Sequence, residues 1–212
     1  MSNQKNSPRI KAIAFFDAQN LYYAAKNTFG YTFPNYDPKL LAKAVCKQKG
    51  WILEETRIYT GVPKKKDKPF WHHFWTAKLT KINMQKRTFV FSRTVHYNKK
   101  IIKCTNGREC EALVGNEKGV DARITIDTIR LALKKKYDVA LIFSQDQDLS
   151  EAVEEIKEIG KEQGRWIKVA SAFPKNPNIK HFKQGIEKTE WVPFEKKLYD
   201  TCIDKRDYRP KE

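Results

Sequence analysis

Two apolar runs, Ile10 to Phe16 and Val139 to Phe143, each lead directly into a polar loop with an aspartate: Asp17 in FFDAQN and Asp146 in IFSQDQD. Apolar runs of this length without alternation read as strands buried on both faces, the environment of a parallel sheet. Helical segments follow them. Asn20 begins LYYAAKNTF, and in DPKLLAKAVCKQKG Asp37 is placed to cap, Pro38 suits the first turn and Gly50 stops the helix. Trp51 to Val62 has strand character, Gly119 to Lys136 a helical pattern ending in Lys134-Lys135-Lys136, Leu149 to Lys161 an amphipathic helical pattern, and Trp166 to Phe173 strand character again. Strands alternating with helices predict an α/β three-layer sandwich around a central, mostly parallel sheet. Ligands in such sheets bind beyond the strand C-termini, where Asp17 and Asp146 both fall.

The remaining segments decorate this core. Pro63 to Pro69 is a basic loop, and FWHHFWTAKLTKINMQ after it has helix length; Phe70, Trp71 and Trp75 beside the loop lysines are a mix that can stack unpaired bases, but packing is the favoured reading for Trp71, Phe74 and Trp75. Phe89 to Phe91 reads as a short strand. Thr94 to Val114 reads as two or three β-segments around Asn98-Lys99 and Asn106-Gly107 turns, an inserted β-hairpin region over about 94–115. The expected domain covers 10–194, with a flexible N-terminal tail (1–9) and a charged C-terminal tail (195–212).

Charge narrows the partner. The 212 residues include 42 Lys and Arg against 25 Asp and Glu, a net charge of +17 that marks a polyanion binder. No apolar run approaches the roughly 20 residues of a membrane span, and the start MSNQKNSPRIK has no apolar core, so the expected location is the cytoplasm. Four cysteines, at 46, 104, 110 and 202, are too few and too irregular for a disulfide scaffold and are expected to be reduced thiols. Cys104 and Cys110 lack the spacing and the further ligands of a zinc site.

A third acidic cluster, Glu117 to Asp121 and on to Asp127, lies at the start of the third helical segment. At about 100° per residue, Asp127 points roughly 120° away from Asp121, so Asp121 is the carboxylate that can face the strand edge, and Asp127 reads either as a group supporting the site from behind or, the favoured reading, as an exposed helix charge. Phosphodiester hydrolysis needs an activated water and charge stabilisation on the leaving oxygen, which Mg²⁺ or Mn²⁺ held by a few carboxylates provides. Asp17, Asp121 and Asp146 are the expected ligands. Asp148 is either a fourth ligand or, in Asp148-Leu-Ser-Glu151, the N-cap of a capping box. Asn20 stands one turn past Asp17 and can donate to it or to a phosphate, and Ser144 can orient Asp146.

FFDAQN, EKGVDARITIDTIRLA and DVALIFSQDQDL together resemble the signature segments of the NYN domain, a branch of the PIN-like nuclease superfamily, most closely its LabA-like members. The resemblance spans about residues 10 to 173. It implies a PIN-like fold and metal-dependent ribonuclease activity, probed first at catalytic Asp17, Asp121 and Asp146, with Asp148 and Asn20 matching further motif positions. Single-stranded RNA is the expected partner, a homodimer is admitted and a membrane is not. Lys64, Lys65, Lys66, Lys99, Lys100, Lys118 and Arg123 are the cations expected to track its backbone. A haloacid-dehalogenase-type phosphatase would need an Asp where Gln19 stands, and no glycine-rich loop follows the first strand to bind a dinucleotide. The rival reading is an RNA-binding module with the same fold and no activity.

Overall fold

The computed structural model describes residues 9–103, 109–116, 119–178 and 184–210. Cys104, the Asn106-Gly107 turn, Arg108, Glu117, Lys118 and Lys180 lie outside them.

β1 (Lys11–Asp17) is buried from Ala12 onward because strands flank it on both sides, which is why its sequence is apolar without alternation. It pairs in parallel with β2 (Ile52–Pro63) and with β5 (Val139–Phe143). β3 (Thr88–Lys103) adds in parallel to β2, while β6 (Lys168–Pro174) and β7 (Glu190–Phe194) extend the sheet beyond β5. β4 (Glu109–Asn116) is antiparallel to β3, completing the order β4-β3-β2-β1-β5-β6-β7 among the described residues.

Alternate residues of each central strand serve opposite layers. Ala12, Ala14 and Phe16 of β1, with Leu141 and Phe143 of β5, face α1 (Ala18–Phe29), α2 (Pro38–Lys49) and α3 (Pro69–Asn83). Ile13, Phe15 and Ile142 face α4 (Val120–Leu133) and α5 (Ser150–Glu162). Phe16 and Phe143 stack with ring centroids 4.0 Å apart, locking β1 to β5 just below the loops that carry Asp17 and Asp146. The helix boundaries follow local chemistry: Asp37 accepts from the amides of Lys39 and Leu40, Pro38 occupies the first turn, and Gly50 takes a left-handed φ of 71° after α2.

Two expectations change. Asn98-Lys99 is no turn: β3 runs unbroken through it, its first half against β2 and its second half, from His96 to Lys103, against β4 as a two-stranded ribbon. The ribbon therefore leaves the sheet at the strand C-termini. The charged segment after 194 packs onto the domain. It forms α6 (Lys196–Asp200) and buries Tyr199, Cys202 and Tyr208 against the α2 and α3 layer. The thiols are not uniformly reduced, since Cys110 is disulfide-bonded, while Cys46 and Cys202 are free and buried.

Lys78 anchors that C-terminal segment. It is 1% exposed; Nζ donates to the Tyr36 carbonyl (2.7 Å), lies 3.8 Å from Asp204 and stands over the Tyr36 and Tyr208 rings. Burial lowers its pKa from 10.5 to about 8, against the opposing pull of Asp204 and Asp37. Between those values the unfolded chain holds a proton that the folded chain has released, so this group adds stability as pH rises. Cys46, whose thiol burial pushes up to about 12, acts in the opposite sense above its ordinary value. The clean comparison is with Lys78→Met, in which the cysteine contribution cancels. Urea unfolding at pH 7.5 and 9.5 should show wild type gaining on the variant by up to about 1.4 kcal/mol per pH unit; a constant difference would contradict the shift.

Candidate metal centre

The sheet reverses its direction of growth between β1 and β5, and the crevice outside the strand C-termini at such a switch point is where open α/β sheets bind ligands. Asp17 is both the last residue of β1 and the N-cap of α1; its Oδ1 accepts the Asn20 amide at 3.0 Å. Asp146, after β5, caps a single 3₁₀ turn (Gln147–Leu149) by accepting the Asp148 amide at 3.1 Å. Both aspartates are caps as well as edge carboxylates, and one function orients the other: a carboxylate held by an N–H cannot swing freely.

Ser144 ties the two together. Its hydroxyl donates to Asp17 Oδ2 at 3.3 Å and accepts the Asp146 amide at 3.1 Å, all within a site where Ser144 is buried. Asn20 Oδ1 accepts the Gln145 amide at 2.9 Å and so pins the β5 loop to the start of α1. Gln147 fastens the same loop outward, to Gly185 and Glu187.

The third carboxylate arrives from α4. Gly119 precedes the helix with φ of 90°, a conformation that strains any residue with a Cβ, and this turn into the helix places Asp121 in the first turn at the sheet edge. One carboxylate oxygen each from Asp17, Asp121 and Asp146 lies within 4.8 Å of the others, although the three residues come from separate elements. Asp148 is outside this triangle, and it is not the N-cap of α5 either, because Asp146 holds the cap one turn earlier. Burial, and then the charges of Asp146 and Asp148, raise the Asp121 pKa above its ordinary value.

Asp127 lies on the other side of α4, as its phase requires, yet it is 2% exposed. Away from the site means against β2. Its Oδ2 accepts from Tyr59 (2.9 Å) and Arg57 (3.1 Å), and Arg123 Nε is 3.0 Å from Oδ1. Burial raises its pKa, but the contacts from Arg123 and Tyr59 and the Arg57 charge outweigh that and hold it below the usual value. Arg123, expected on RNA, is thus engaged with Asp127. Lys65 and Lys66 are exposed and Lys64 half-buried in the loop before α3, while Lys99 and Lys100 are exposed on the β3–β4 ribbon, Lys99 paired with Glu111.

An α/β domain with a mostly parallel curled sheet and a carboxylate triangle at its switch point has the architecture of the PIN-like NYN fold. The NYN domain family model matches residues 11–178, and the chain belongs to that family. No curated protein matches it. Among solved structures it is similar to the crystal structure of a protein of unknown function from Vibrio parahaemolyticus, at 16% identity over 95% of this chain and 96% of that one, with a TM-score of 0.43. No helix among the described residues is long and apolar enough to cross a membrane.

Proposed function

We propose that the chain is a metal-dependent ribonuclease that hydrolyses phosphodiester bonds of single-stranded RNA at the Asp17, Asp121 and Asp146 centre. The observation that carries this is the convergence of three carboxylates, within 4.8 Å, at the switch point of the sheet. Membership of the NYN family, which lies within the PIN-like nuclease superfamily, and a net charge of +17 support it.

The donor set fits a hard divalent cation. All three ligands are carboxylate oxygens, and among the described residues no lysine or arginine pairs with Asp121, Asp146 or Asp148, in contrast to Asp127 with its two arginines. Mg²⁺ or Mn²⁺ held there would supply an activated water and neutralise charge developing on the leaving oxygen. What the chain contributes is preorganisation. The Asn20 and Asp148 amides and the Ser144 hydroxyl fix two of the three carboxylates before anything binds, so little ordering remains to oppose binding. Asp148 adds negative potential from outside the triangle. Lys64, Lys65, Lys66, Lys99 and Lys100 supply backbone attraction at the same end of the molecule, and Lys118, three residues before Asp121 in the sequence, is expected to add to it.

Purified protein incubated with end-labelled single-stranded RNA should cleave it in Mn²⁺ or Mg²⁺ and leave it intact in chelator. Binding without cleavage under every divalent ion would assign the chain to the alternative, an RNA-binding module that retains the fold.

A further inference from the structure

The edge that carries the aspartates continues, past Gln19, into a cleft of about 510 Å³. α1 contributes Tyr22, Tyr23 and Lys26 to its walls, the start of α3 contributes Lys68 and Trp71, and the β3–β4 ribbon contributes Tyr97. The volume lies within the roughly 300–1,000 Å³ of ligand sites. Gln19 is two residues beyond Asp17, so the cleft and the carboxylate triangle share the first turn of α1.

Tyr22, Tyr23 and Tyr97 stand outside the core, and Trp71 packs against the edge of it while keeping part of its surface in the cleft. Tyr23 is 54% exposed, and Tyr22, Trp71 and Tyr97 are only partly buried. Clustered aromatic surface left facing water opposes folding unless another molecule covers it, and such surface marks an interaction site. The rings are held but not packed shut. Tyr22 lies 5.1 Å from Tyr23 and 5.8 Å from Trp71, centroid to centroid, at tilts of 42° and 54°. The Tyr22 hydroxyl donates to the Thr32 carbonyl, fixing that ring. Tyr97 sits opposite Gly115 in the ribbon, and a Cβ at Gly115 would meet its ring at 3.0 Å, so glycine gives the ring a flat bed. Aromatic platforms immobilised in advance lose little entropy on binding.

The guest must therefore be flat, able to stack, and negatively charged at its margin. Lys26 lines the cleft, and the Lys68 ammonium stands 5.9 Å from the Tyr97 ring centroid. Aliphatic lipid would leave the ring faces and the ammonium groups without matching partners. A base inside a duplex has both faces covered by its neighbours, whereas an unpaired base offers its face to aromatics and its phosphate to lysines.

We propose that this cleft is a base-stacking subsite that holds an unpaired nucleobase of the RNA strand whose backbone passes the three aspartates. The identity of the strand rests on the nuclease reading; the stacking does not.

The test is equilibrium binding of a short single-stranded RNA in chelator, where cleavage cannot contribute, followed by quenching of tryptophan fluorescence. Tyr23→Ala and Tyr97→Ala are expected to weaken binding about tenfold each, with unchanged circular dichroism, while Tyr23→Phe binds as wild type does. A duplex of the same sequence should compete poorly. Wild-type affinity in both alanine variants, or equal competition by duplex, would overturn the subsite, even if Asp146-dependent cleavage stood. Binding sensitive to Tyr23 and Tyr97 in a protein that never cleaves would uphold the subsite and remove the nuclease reading instead.

Discussion

Asp146→Asn is expected to reduce RNA cleavage by about 10³-fold or more while leaving the fold and RNA binding intact. The amide is isosteric with the carboxylate, and Asn caps as well as Asp does, so the bond from the Asp148 amide survives. What disappears is one of the three charges proposed to hold the cation. A bound ion is worth several kcal/mol of transition-state stabilisation, and each 1.4 kcal/mol or so is a factor of ten in rate. The same substitution removes a like charge from beside Asp121, whose pKa is raised first by burial and then by Asp146 and Asp148. Without metal the variant should therefore melt at or slightly above the wild-type temperature, whereas the rise in Tm on adding Mn²⁺, present in wild type by linkage, should shrink. Asp17→Asn/Asp146→Asn should abolish that rise. An undiminished Mn²⁺ shift in the double variant would sink the centre as a metal site, and wild-type cleavage by Asp146→Asn would sink it as the catalytic one.

The part of this centre that was legible in the chain is the part encoded by burial. β1 and β5 are covered on both sides and both faces, so their sequences are uninterrupted apolar runs, and the first polar residues after them must lie at the sheet edge. Asp17 and Asp146 were readable for that reason, and Asp121 by helix phase. Phase gives a direction, though, and not what lies there. Of the two readings of Asp127, pointing away from the site favours the exposed charge, but β2 covers that side with Arg57 and Tyr59, seventy and sixty-eight residues earlier in the chain. The packing of the C-terminal segment is hidden for a related cause. Its charged composition hides Tyr199, Cys202 and Tyr208, and Asp204 answers a buried lysine on α3 that no local pattern reveals. At Asn98-Lys99 local turn propensity lost to pairing, since the strand continues opposite Leu113 and Val114 of β4. The aromatic cleft draws Tyr22, Trp71 and Tyr97 from three distant segments, and only the fold assembles them.

Asp127→Ala is expected to be the most destabilising of the substitutions considered, by about 3 kcal/mol, because it strips one of two counter-charges, the more buried one, from a buried arginine and leaves only Glu55. Arg57 is held between the Asp127 carboxylate, Glu55, the Tyr59 hydroxyl and the face of Phe89, 3.9 Å from its ring centroid. Its side chain is only 11% exposed. Arg123 is more exposed, at 35%. For a chain of this length the loss corresponds to a fall in Tm on the order of 10 °C. Acid should reproduce part of it. The Asp127 pKa lies below its ordinary 3.8, the contacts from Arg123 and Tyr59 outweighing burial, so its contribution is complete above that value and is lost as pH falls through the lower, folded one. The stability gap between wild type and Asp127→Asn, measured in urea, should accordingly close below pH 4 and stay constant from 5 to 7. Because Asp127 ties α4 to β2, the helix that presents Asp121 is held by this contact, and cleavage by Asp127→Asn should recover at high Mn²⁺ where that of Asp146→Asn does not. The sharpest check is a paired removal. Arg57→Met combined with Asp127→Leu deletes both buried charges at once and should cost less than Asp127→Ala alone, since no charge is left stranded under the sheet; a double variant less stable than the single one would mean that the ion pair itself, and not the avoidance of an unpaired charge, holds α4 in place.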